Sequence, residues 1–123
     1  MKKILVVEDD DVVRKNLSTF LARAGYDADQ AGDGVEALEK LNAGGYDLVL
    51  SDIVMPRMDG LALIERVCSA WPDTRIIAMT AYFQSDSDGR FSAAGAHDFI
   101  GKPIMFDDLL AKIERLLTRG FRG

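Results

Sequence analysis

Short runs rich in branched apolar residues alternate along the chain with longer segments of helical period, and this alternation limits the fold more than any other feature. It is the pattern of repeated strand-then-helix units packed as a parallel sheet. Five units can be read. Their strands are expected at Lys3 to Val7, Asp27 to Ala31, Asp47 to Ser51, Arg75 to Met79 and Asp98 to Gly101. The second is polar enough for a sheet edge, whereas the first, third and fourth look central. Helices are expected at Asp11 to Ala24, Gly34 to Ala43, Gly60 to Ala70, Gln84 to Ala94 and Phe106 to Thr118, with Gly25, Gly44 and Gly95 as stops. The segment Gln84 to Ala94 is the weak one: Ser85-Asp86-Ser87-Asp88-Gly89 together cost about 3 kcal/mol against alanines in a helix interior.

Length sets the domain count. A chain of 123 residues with 48% hydrophobic content buries roughly two thirds of its unfolded surface, enough for one core without disulfides or a structural metal. The expectation is one domain over residues 1 to 123, with no linker and no second domain. Fifteen Lys plus Arg against 20 Asp plus Glu give a net charge of -5. With no basic run to neutralise phosphates, direct binding to nucleic acid or an anionic membrane is not expected. No stretch reaches transmembrane length, and the apolar run Ile4 to Val7 is too short for a signal peptide. Cys68 falls in a helical set with Ile64, Val67 and Trp71 and reads as a core residue in a reducing cytoplasm. The lone His97 has no Cys, Asp or Glu at ligand spacing and reads as surface.

In an open parallel α/β sheet, ligands bind beyond the carboxyl ends of the strands. Those ends carry Glu8, Asp9 and Asp10 after the first strand, Asp52 after the third, Thr80 after the fourth and Lys102-Pro103 after the fifth. Like charges about 4 Å apart repel by about 4 kcal/mol at an effective dielectric of 20, so these acids call for a cation. Oxygen-only ligands favour a hard ion, and Mg2+ suits one or two carboxylates completed by water and phosphate oxygens. Asp10 and Asp11 are assigned instead to the helix terminus, as cap and first-turn charge.

The residues Val6-Val7-Glu8-Asp9-Asp10, Ser51 to Gly60 (SDIVMPRMDG), Thr80-Ala81 and Lys102-Pro103 resemble the receiver domain of bacterial two-component response regulators, over the whole chain. The resemblance implies a flavodoxin-like (βα)5 fold, a doubly wound five-stranded parallel sheet in strand order 2-1-3-4-5. It also implies that Asp52 is the phosphoacceptor, a carboxylate nucleophile that forms an aspartyl-phosphate. Asp9 would ligate Mg2+ directly, Glu8 through water, and Val54 through its backbone carbonyl, with Asp52 completing the set. Lys102 would pair with the phosphoryl oxygens. Thr80 and Phe99 resemble the family's switch pair, a hydroxyl that bonds the phosphoryl group and an aromatic that turns inward behind it. Moving a two-state equilibrium from 1:99 to 99:1 takes about 5.5 kcal/mol. One charge-assisted hydrogen bond supplies about 1.5 to 3 kcal/mol, so Thr80 and Lys102 together are roughly enough. The Lys102-Pro103 bond would be cis, against a base rate of about 5 to 6% for X-Pro bonds.

The same resemblance names the partners. A sensor histidine kinase or histidine phosphotransfer protein would donate the phosphoryl group in the cytoplasm. The face built from Gln84 to Ala94, the last strand and the last helix would pass the change to an effector protein or output domain. A homodimer formed through that face on phosphorylation is a family-level expectation. The chain would not be a turnover enzyme, only a phosphoacceptor that slowly loses its own phosphate. Val54 and Tyr82 stand two residues after Asp52 and Thr80, and neither orients a water as a carboxylate or amide would.

Two other readings are weaker. Gly32-Asp33-Gly34-Val35-Glu36-Ala37 fits the loose dinucleotide pattern G-x-G-x-x-A, but it follows the polar second strand, and Asp33 suits a helix cap better. A phosphatase with an aspartate nucleophile would need a second Asp two residues after Asp52 as general acid, where this chain has Val54.

Overall fold

The computed structural model describes residues 1–53, 60–80 and 94–118. In chain order the elements are β1 (Lys3–Val7), α1 (Asp11–Arg23), β2 (Asp27–Ala31), α2 (Gly34–Ala43), β3 (Leu48–Asp52), α3 (Gly60–Ala70), β4 (Arg75–Thr80), β5 (Asp98–Gly101) and α4 (Phe106–Thr118). Each strand pairs parallel with its neighbours in a five-stranded sheet of order β2-β1-β3-β4-β5. The chain therefore reverses direction across the sheet at β1 and β3, and Val7 faces Ser51 there. The expected segment Gln84 to Ala94 lies outside the described residues except for Ala94, as do Val54 and Tyr82.

Successive strand residues point to opposite faces, so one run of apolar residues feeds two cores. Leu5, Val7, Val49, Ile76 and Ala78 pack under α2 and α3, with Leu41, Leu63, Ile64 and Val67. Ile4, Val6, Leu48, Leu50, Ile77 and Met79 pack under α1 and α4, with Leu17, Leu21, Leu109 and Ile113. β1 and β3 are almost wholly buried, while β2 at the sheet edge buries only Ala31 fully. Truncating a central side chain such as Leu50 to alanine would cost about 2 to 5 kcal/mol, because both the transfer energy and a cavity are involved.

Local chemistry sets the boundaries. Asp10 caps α1, its Oδ1 accepting from Val12 N–H at 2.9 Å and Val13 N–H at 3.2 Å. Asp33 caps α2 by accepting from Glu36 N–H at 2.8 Å, and Glu36 Oε1 in return accepts from Gly32 N–H at 2.7 Å. Both polar groups of the dinucleotide-like motif are thus engaged in capping. Gly25 and Gly95 have φ of 100° and 120°, the left-handed region that favours glycine. Gly44 ends α2 in extended backbone, with φ of -157°, so its stop does not depend on that freedom.

Four expectations differ from the fold. β3 runs from Leu48 to Asp52, one residue later at both ends than expected, and β4 runs one residue further, to Thr80, because the parallel pairing continues to the polar strand ends. α1 stops at Arg23, with Ala24 as its cap. Cys68 is exposed. It sits one residue past Val67, about 100° around the helix, and falls off the stripe that Ile64 and Val67 bury.

Candidate functional site

Glu8, Asp9, Asp52, Thr80 and Lys102 all stand at the carboxyl edge of the sheet. Glu8 extends the β1 ladder by one bond, its N–H donating to Ala31 O at 3.1 Å, and this holds the side chain inward at 2% exposure. Asp9, one step on, is exposed. Asp52 closes β3, opposite Met79 in register, and is 5% exposed. Thr80 closes β4, is buried, and accepts Lys102 N–H on its carbonyl at 2.7 Å. The Lys102-Pro103 bond is cis, as expected. Phe99 faces Ala78 in register and packs, partly buried, against the core under α2 and α3.

One ammonium ties three strands together. Lys102 Nζ donates to Glu8 Oε2 at 2.9 Å and to Asp52 Oδ2 at 3.2 Å. Burial disfavours the charge on Lys102, but the hydrogen bond to Glu8 and the negative charges of Asp52 and Glu8 outweigh it, so its pKa lies above the ordinary value. Burial raises the Glu8 pKa and the charge of Asp52 raises it further, against the opposing bond from Lys102.

Carboxylate oxygens of Glu8, Asp9 and Asp52 lie within 4.8 Å of one another. Three carboxylates against one ammonium leave a local surplus of two negative charges, which is the charge of one divalent cation. Only oxygen donors are present in this cluster, so the donor set fits a hard ion such as Mg2+. Val54, the fourth expected ligand, lies outside the described residues.

Backbone packing fixes Asp52 from behind. Gly60 N–H donates to Ile53 O at 2.7 Å, closing the connection from β3 to α3. A Cβ at position 60 would stand 2.4 Å from Ile53 Cα and 2.5 Å from Asp52 O, so only glycine fits without displacing that backbone. Beside the site, an apolar groove lined by Val13, Leu17, Pro103, Ile104 and Phe106 reaches Lys102.

The family description "response regulator receiver domain" matches residues 4–114. The chain belongs to that family. Among curated relatives, the receiver is 43% identical over 117 residues to the transcriptional regulatory protein DltR of Streptococcus agalactiae, covering 95% of this chain and 52% of that protein. It is 38% identical to the response regulator MprA of Mycobacterium ulcerans, covering 95% of this chain and 50% of that one. The chain thus spans about half the length of the curated relatives it matches. Among solved structures it is similar to TrrA of Thermotoga maritima in complex with Mg2+ and BeF, at 41% identity and TM-score 0.87, covering 95% of this chain and 100% of that one. It is also similar to the chemotaxis protein CheY4 of Vibrio cholerae, at 33% identity and TM-score 0.88, covering 95% and 99%. The receiver is a signalling domain of two-component systems, and its relatives do not favour the phosphatase reading. Among the described residues, no helix is long and apolar enough to cross a membrane.

Three features escaped sequence reasoning. His97 is not the free surface side chain expected of it. It is half-buried before β5, where its ring Nδ1 accepts from Ile76 N–H at 3.0 Å while its backbone N–H donates to Ile76 O at 2.8 Å. The imidazole completes the β4–β5 ladder where a backbone carbonyl would otherwise stand. Asp98, next in line, is held by Lys112 at 3.4 Å and by Arg115, both from α4. The third feature is Arg14, whose guanidinium reaches the Glu8 carbonyl at 2.8 Å.

Proposed function

We propose that residues 1 to 123 form one receiver domain in which Asp52 accepts a phosphoryl group from a phosphohistidine donor. The observation that carries this reading is the Lys102 ammonium set between Glu8 and Asp52, within a cluster of three carboxylates. A carboxylate oxygen of Asp52 attacks phosphorus in line, the P–N bond of the phosphoimidazole breaks, and its electron pair leaves with the imidazole. The product is an acyl phosphate. Such transfer depends mainly on positioning and charge. Glu8, Asp9, Asp52 and the Val54 carbonyl would hold Mg2+, which offsets the negative charge gathered around phosphorus. TrrA, solved with Mg2+ and BeF at 41% identity, supports that choice of ion.

Lys102 then exchanges its carboxylate partners for phosphoryl oxygens, and Thr80 donates its hydroxyl to the same group. Phe99 follows inward, and the face carrying β5 and α4 changes shape for an effector or output domain. The donor is a sensor histidine kinase or a histidine phosphotransfer protein in the cytoplasm, and the groove beside Lys102 supports a protein donor. The net charge of -5 supports a protein rather than a nucleic acid as the direct target of this domain. A homodimer through the output face is part of this reading. So is slow loss of the phosphoryl group to water without turnover of external esters.

Incubation with acetyl phosphate and MgCl2, followed by intact mass measurement, tests the proposal. One added phosphoryl group that is absent in EDTA and in Asp52→Asn is expected; steady phosphate release from aryl esters would overturn it.

A further inference from the structure

Arg14 occupies an unusual place for a cation, one turn into α1, where the helix dipole favours negative charge. Its side chain is only 14% exposed. The guanidinium's three nitrogens donate to acceptors in three places, the β1–α1 connection, β2 and α1. Nη1 donates to the Glu8 backbone carbonyl at 2.8 Å, Nε to Gln30 Oε1 on β2 at 3.2 Å, and Nη2 to Asp11 Oδ1 at 2.5 Å. Such a spread needs the planar fork of arginine, since a lysine has one nitrogen at the end of its stem.

The contact with Glu8 bears on the acidic edge. Glu8 and Asp9 leave β1 through one tight connection, braced by Asp10 N–H donating to Glu8 Oε1 at 3.3 Å. Fixing the Glu8 carbonyl fixes the peptide that leads to Asp9. We infer that Arg14 is a positioning residue, holding the β1–α1 turn so that Glu8 and Asp9 present their carboxylates to a cation together. This inference rests on the reading of Glu8, Asp9 and Asp52 as the Mg2+ site.

Charge and position predict opposite results here. As a mere charge, Arg14 repels a nearby cation, so its removal would tighten Mg2+ binding. As a positioning group, its loss loosens the turn and weakens binding, by about 10-fold on the scale known for residues that orient metal ligands. Arg14→Lys keeps the charge and loses the fork; Arg14→Met loses both.

Calorimetric titration of the whole chain with MgCl2, with thermal unfolding in EDTA as a check on folding, decides the matter. Weaker Mg2+ binding in both variants, by about 5- to 10-fold, is expected, with the phosphorylation rate at saturating Mg2+ within about 2-fold of the parent. Unchanged affinity in Arg14→Lys, or tighter binding in Arg14→Met, would overturn the inference. If Arg14→Met does not fold, Arg14→Lys alone carries the test. Asp9→Asn separates this claim from the underlying reading. If it leaves Mg2+ affinity intact, the site assignment fails; if it abolishes binding while Arg14→Lys does not weaken it, only the role of Arg14 fails.

Discussion

Lys102 Nζ and Glu8 Oε2 lie 2.9 Å apart although 94 residues separate them in the chain. Glu8 is 2% exposed, so this ammonium is the group that makes its burial as an anion tolerable. The same nitrogen reaches Asp52 at 3.2 Å, so on the proposed reading a phosphoryl group on Asp52 would have to displace this contact.

Lys102→Met should destabilise the metal-free protein by about 2 kcal/mol, because a buried carboxylate loses its charged partner. Urea unfolding in EDTA and in Mg2+ checks this. Mg2+ should recover much of the loss by supplying the missing positive charge, and an equal deficit in both conditions would argue against a shared site.

Gly60→Ala should cost about 3 kcal/mol, near the upper range for overpacking, since its Cβ meets backbone that cannot swing away. Gly45→Ala is the control: nothing lies within 4 Å of a Cβ there, and the change should stay within about 0.5 kcal/mol. The displaced Asp52 should also accept phosphoryl groups more slowly in Gly60→Ala, as read by intact mass against time.

Burial, and then the charge of Arg75, lower the pKa of His97 below the ordinary 6.5. The unfolded chain thus binds its proton more readily than the folded one. Stability from neutral His97 is present above pH 6.5 and is lost as pH falls through the folded pKa. His97→Asn keeps a side-chain acceptor for Ile76 N–H but does not titrate. Between pH 7.5 and about pH 5.5, the wild-type unfolding free energy should fall relative to that variant. Parallel curves would show that the imidazole does not titrate with folding.

Val54→Asn should speed loss of the phosphoryl group, because an amide two residues after Asp52 can orient a water that valine cannot. The decay of phosphorylated protein after donor removal measures this. An unchanged rate would exclude position 54 as a determinant of lifetime.

The central strands were legible because burial on both faces demands unbroken apolar runs, and Ile4 to Val7 and Arg75 to Met79 match that demand nearly residue for residue. Glu8, Asp9, Asp52, Thr80 and Lys102 were legible as a group because parallel topology brings the carboxyl ends of strands to one edge. Cys68 misled because one residue beside a helical stripe cannot be told from a member of it without knowing the packing angle. His97 left no signal, since its acceptor role joins it to Ile76 across 21 positions. Arg14 did leave one: a cation near the start of a helix runs against the dipole, and that mismatch is what a buried hydrogen-bonding role explains.

Asp52 is the residue proposed to carry the phosphoryl group. Reducing the phosphorylated protein with borohydride converts an aspartyl-phosphate to homoserine, which peptide mass spectrometry can place. Homoserine is expected at position 52 alone, dependent on Mg2+ and phosphodonor. Homoserine at position 9, or at no position in protein whose intact mass shows a phosphoryl group, would contradict it.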